Sequence, residues 1–225
     1  MGSIFSFLLK IIFFIAFPFL AIAIIVASAP FWARLGNEII YLKWLIGGMA
    51  ICSFAYLLFR RTLSFWIVLS HELIHAIFAA LTLSRVSFLA ASSDKGGQVV
   101  HSQRNFLVTL APYAFPVFSL VLLPVIIILK KGFVGYLHFL IGITLMFYFI
   151  SLVTTLRFSQ PDIRKHGIIF SLVFIVLMNL FLVSFILITV GLGWHDTTLF
   201  LVQACHCFCN YLHDGLKELF RILFG

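Results

Sequence analysis

Residues 62–83 read TLSFWIVLSHELIHAIFAALTL, an apolar run broken by one polar cluster, His71, Glu72 and His75. About 20 such residues, rising about 1.5 Å each as a helix, cross the roughly 30 Å of hydrocarbon in a bilayer. On that helix positions 71 and 75 lie one turn apart on one face. Two imidazoles so placed can reach a single tetrahedral zinc at about 2.0–2.1 Å. Glu72, beside the first of them, is positioned to take a proton from water that a metal has acidified and to pass it to a leaving amine. The bland reading is that the three are satisfied polar residues packed in a bundle core. Their depth weighs against it, because an ionisable group in mid-membrane costs about 3 kcal/mol on insertion scales and usually marks a cavity or a metal.

The rest of the chain agrees with a membrane setting. Of 225 residues, 63% are hydrophobic and 10% charged, and the mean hydropathy of +1.19 is far from that of a soluble domain. Hydrophobic segments fall at about 4–29, 38–59, 62–83, 105–129, 133–156 and 167–192, each near helical spanning length. A transmembrane β-barrel would instead alternate apolar and polar residues over segments of about 10. The expected fold is therefore an all-α polytopic membrane protein of about six transmembrane helices. The first segment is expected to be a retained anchor, although Ala27-Ser28-Ala29 imitates a signal cleavage site.

The formal charge of +8 sits in short runs at segment ends, where Lys and Arg anchor to lipid headgroups, rather than on one basic domain that would bind nucleic acid. With the N-terminus on one side, the opposite side collects Arg34, Arg85, Lys95, Arg104, Arg157, Arg164 and Lys165, which slightly favours that side as cytoplasmic. Two breaks differ in kind. Residues 84–104 alternate weakly around Asp94-Lys95-Gly96-Gly97 and read as a small β-hairpin-like insert whose edge could pair with an extended peptide. Residues 193–225 mix Leu and Phe with Asp214, Lys217, Glu218 and Arg221, as expected of a C-terminal amphipathic helix lying on the membrane surface. Cys205, Cys207 and Cys209 are too clustered to surround a metal and are read as packing residues, with palmitoylation as the alternative.

A transmembrane HELIH, a hairpin-like polar insert, further spans and a downstream Asp together resemble the site-2 protease (M50-like) family of intramembrane zinc metalloproteases, over roughly residues 60–170. The resemblance implies one zinc per chain, with His71 and His75 as ligands, Glu72 as general base and a distant Asp as third ligand. It also implies a membrane protein substrate, a cell (inner) membrane location and a regulatory membrane partner. Where the family carries Asn, then Pro, then Asp-Gly, this chain has Gln160-Pro161-Asp162-Ile163, which marks a divergent member. On this reading residues 1–61 form an N-terminal pair of helices, 62–192 a metalloprotease-like core and 193–225 an interfacial tail.

Asp162 has two readings. A catalytic zinc usually has three protein ligands and a water, and Pro161 with Ser151, Thr154 and Thr155 would let the end of the fifth span unwind and turn Asp162 inward. Alternatively Asp162 caps the sixth helix. His101 is read as interfacial rather than as a ligand, His138 as a core histidine, and His166 and His195 as segment-end residues. The function expected is zinc-dependent hydrolysis of peptide bonds in or beside the membrane. Its rival is a non-proteolytic assembly or regulatory subunit that keeps a structural zinc site.

Overall fold

In hydrocarbon a chain must satisfy its backbone N–H and C=O groups internally, and a long apolar segment does so as helix. The computed structural model describes residues 2–37, 39–83, 86–92, 96–101 and 105–224, with side chains described at 13, 15–37, 40, 42–83, 105–218 and 220–222. Its elements, in chain order, are α1 (Gly2–Asn37), α2 (Lys43–Leu58), α3 (Arg60–Leu81), β1 (Val86–Ser92), β2 (Gly96–His101), α4 (Phe106–Ala114), α5 (Val117–Leu122), α6 (Val125–Ile128), α7 (Val134–Thr155), α8 (Pro161–Lys165), α9 (Ile168–Leu192) and α10 (Trp194–Phe224).

The chain is a predominantly helical membrane protein. Among the described residues, four helical stretches are long and apolar enough to span: Ile15–Asn37, Arg60–Leu81, Lys131–Thr155 and Ile168–Leu192. A fifth qualifies if α4 and the stretch Val117–Ile128, which are bent by 78°, count as one broken span. The expected total of about six is not reached because the regular helix of the second hydrophobic segment, α2, has only 16 residues, about 24 Å of rise. The strands β1 and β2 pair antiparallel, with Leu89 opposite Val99 and Ser92 opposite Gly96. The turn expected at 94–97 lies partly outside the described residues, as do the side chains of Arg85, Lys95, His101 and Arg104.

Backbone packing divides the chain into two compact units, Leu42–Met178 and, separately, Met1–Tyr41 with Asn179–Gly225. Within the first of these units α2 packs chiefly against α7. The reason is visible at two glycines. A Cβ on Gly48 of α2 would lie 2.0 Å from the Phe139 carbonyl oxygen of α7, and one on Gly142 would lie 2.1 Å from that of Leu45. The two backbones therefore touch where side chains are missing, as in small-residue crossings of membrane helices. Beside this crossing Cys52, Ile67 and Ile150 form an apolar cluster that ties α2 and α7 to α3.

In the other unit the expected C-terminal amphipathic helix is present as a 31-residue helix, and it packs along α1. Phe200 lies edge-on to Phe31 with ring centroids 6.2 Å apart, and further along Gly215 accommodates Phe19, whose Cε1 would be 2.5 Å from an added Cβ. The reversed order of these contacts makes the pair antiparallel. Arg34 of α1 is ion-paired with the buried Asp196 at the start of α10, so a charge that would otherwise oppose packing is neutralised. The reversal between α9 and α10 turns on Gly193, whose φ of +93° suits glycine and whose N–H bonds back to Ile188 and Thr189 carbonyls.

Candidate metal centre

The amphipathic face of α3 that turns inward comprises Ile67, Ser70, His71, Glu72, Ile74, His75 and Ala79. His71 and His75 fall on it one turn apart, their ring centroids separated by 4.9 Å and their planes near perpendicular. Against this face packs α4, which begins with Asn105 as a proper cap: its side-chain oxygen accepts from the Leu107 N–H at 3.0 Å. That start sets the register of the next turn, in which the Val108 carbonyl accepts from His75 Nδ1 at 2.8 Å. A carbonyl can only accept, so Nδ1 of a neutral His75 carries the proton and Nε2 keeps its lone pair. The corresponding Nδ1 of His71 is buried and has no hydrogen-bond partner among the described residues.

Asp162 completes the cluster. Its Oδ2 lies 3.4 Å from His75 Nε2 and 3.8 Å from His71 Nε2, and one donor atom from each of the three residues falls within 4.8 Å of the others. Two donors each about 2.0–2.1 Å from a tetrahedral ion sit about 3.3–3.4 Å apart, close to the two separations between Asp162 and the imidazoles. Two imidazoles and one carboxylate also form a donor set typical of catalytic zinc, with a position left for water. The residues therefore fit the metal that the resemblance implies. The imidazoles are buried, while the Asp162 side chain is 29% exposed, so the cluster reaches the surface on the carboxylate side.

The route by which Asp162 arrives differs from the one expected. Helix α7 does not unwind at Ser151, Thr154 or Thr155: the Thr154 and Thr155 hydroxyls donate to the Ile150 and Ser151 carbonyls one turn back, at 2.7 Å each, and the helix persists to Thr155. The reach is made instead by the short connection after it and by α8, with Pro161 at its first turn. Asp162 does not cap the sixth hydrophobic segment either, since α9 starts at Ile168, after Gly167 at φ +92°. Outside the spanning helices, burial pushes the Asp162 carboxyl up, but the two imidazoles beside it more than reverse this and hold it well below the usual carboxylate range.

Tyr113 is a neighbour that sequence reasoning missed. It is fully buried, its ring meets His71 edge-on at 4.9 Å, and its hydroxyl donates to Asp162 Oδ2 at 3.5 Å. The available signal was a phenol between Pro112 and Pro116 in an otherwise apolar stretch. Of the remaining histidines, His166 is buried against Thr109, 3.3 Å from its hydroxyl. Neither it nor His138 or His195 joins the donor cluster. Comparison with protein-family models, with curated proteins and with solved structures finds no match to this chain.

Proposed function

We propose that the protein is a zinc-dependent intramembrane endopeptidase, a divergent relative of the site-2 protease (M50-like) group, acting on membrane-embedded or membrane-adjacent protein segments. The observation that supports it most is the convergence of His71, His75 and Asp162, from helices about ninety residues apart in sequence, beside the buried carboxyl of Glu72. When bound, zinc acidifies water and polarises a carbonyl. Glu72, one residue after one ligand and three before the other, flanks the donor cluster on the same side of α3. Its role is to take the proton from the attacking water and deliver it to the amine nitrogen as the peptide C–N bond breaks. His71, His75 and Asp162 hold the ion, and the apolar walls of α3 and α4 limit the access of bulk water.

A substrate helix must unwind before its peptide bond can enter such a site, because helical carbonyls are shielded by their own hydrogen bonds. The β1–β2 insert directly follows α3, and its edge suits an extended strand. On the same reading the chain resides in a cell (inner) membrane and works with a regulatory membrane partner, which the resemblance supports. The test is cleavage of a reporter membrane segment by purified wild-type protein and by Glu72→Gln. The variant should keep its zinc and lose turnover; cleavage at the wild-type rate would leave Glu72 without this role.

A further inference from the structure

The bend after α4 has a consequence for the metal centre. A helix continued through this point would give the Tyr113 carbonyl a partner at the Val117 N–H, but that N–H bonds to the Phe115 carbonyl at 2.9 Å instead. Pro116, which has no N–H to donate, helps to force the break. The Tyr113 carbonyl stranded by it is taken up by the Tyr148 hydroxyl of α7, which donates to it at 2.7 Å. Tyr113 is thus pinned at the last turn of α4 by a group on another helix, its phenol directed at Asp162 and its ring edge-on to His71. Five residues earlier the same helix holds His75 through the Val108 carbonyl.

From this we infer that Tyr113 is a positioning residue for the metal centre: its O–H holds the Asp162 carboxylate at the His71–His75 pair, and Tyr148 holds Tyr113 in turn. The inference rests on the metal reading above. Asp162 needs such a tether more than the histidines do. They stand on a 22-residue helix, whereas Asp162 stands on a five-residue helix in a connection between spans and is partly exposed. Hydrogen bonds to a ligand from such outer groups are commonly worth about 10–100-fold in metal affinity.

The experiment uses the full chain, purified in detergent, stripped and then titrated with zinc against a chromophoric chelator, and with Co2+ to record the ligand-field bands. Wild type, Tyr113→Phe, Tyr148→Phe and His75→Ala are compared, together with the melting temperature of each metal-free protein. Tyr113→Phe keeps the ring and removes only the hydroxyl. It should lower zinc affinity about 10–100-fold and shift the Co2+ bands while leaving metal-free melting unchanged. Tyr148→Phe should weaken zinc binding by a smaller factor in the same direction. Zinc affinity and Co2+ bands equal to wild type in Tyr113→Phe, with binding lost in His75→Ala, would overturn the inference and leave the metal centre standing. An affinity loss matched by a fall in metal-free melting would show a packing role and overturn it too. Absence of zinc binding in wild type would overturn both.

Discussion

His75 and Val108 are joined across two helices by a 2.8 Å hydrogen bond from imidazole Nδ1 to a main-chain carbonyl. The bond fixes which nitrogen of His75 is free to bind an ion, and it does so with a group that no side-chain substitution removes. It also ties the start of α4 to the middle of α3, so the entry of α4 into the bundle and the tautomer of His75 are one structural fact.

His71 and His75 should both be needed for metal. Exchange of either for Ala leaves two protein donors where a catalytic zinc site usually has three. Elemental analysis of the purified protein should give close to one zinc per chain for wild type and a small fraction of that for His71→Ala plus His75→Ala. Unchanged zinc in the double variant would assign the metal to other residues.

Acid should release the metal. An imidazole binds an ion only when neutral, so protons compete with zinc at His71 and His75, and each can cost up to about tenfold in affinity per pH unit once it titrates. Asp162 is held below the usual carboxylate range. Its depressed carboxyl stays ionised while the imidazoles take up protons, so its own contribution is lost only at lower pH still. Zinc occupancy after dialysis at a series of pH values should therefore be full near neutrality and fall steeply on acidification, following the histidines. Occupancy independent of pH down to strongly acid buffer would mean that the imidazoles are not ligands.

The pairing of His71 with His75 was legible because it is local: i, i+4 on one apolar helix sets two imidazoles side by side without any knowledge of the fold. The hydrophobic segments were legible for the same reason, since composition over about 20 residues decides spanning length. Tertiary facts were less so. That α10 packs along α1 depends on Gly215 receiving Phe19 and on Asp196 finding Arg34, pairings more than 150 residues apart by the Arg34–Asp196 separation of 162. Tyr113 was hidden because a single phenol in an apolar run announces nothing until the break at Pro116 and the arrival of Asp162 give it partners.

The crossing of α2 and α7 should be intolerant of side chains. Gly142→Val would place a Cβ about where the Leu45 carbonyl oxygen now lies, 2.1 Å away, and a backbone atom cannot swing aside as a side chain tip can. The helices must separate, and overpacking of this kind costs about 1–3 kcal/mol or more. Thermal unfolding in detergent should show a clear loss for Gly142→Val. Gly132→Ala, where an added Cβ meets nothing within 4 Å, should melt close to wild type. Equal melting of all three proteins would mean that the helices are not in backbone contact.

Asp162→Ala separates the two readings of that residue most directly. As a helix cap it would contribute about 1 kcal/mol of stability and nothing to metal. As a ligand its loss would leave two histidines and strip the ion of its only anionic donor. The second is the role proposed above: Asp162 lies in the first turn of the five-residue α8 with Oδ2 near both imidazoles, and α9 begins six residues later. Zinc retention in Asp162→Ala should therefore fall strongly, and cleavage of a membrane reporter should disappear with it. Asp162→Asn preserves the shape of the side chain and its reach to Tyr113 but removes the charge, so it should retain the fold while binding zinc far more weakly than wild type. Full zinc occupancy in both variants would remove Asp162 from the centre and direct attention to His101, whose backbone ends β2 in the insert that follows the motif helix.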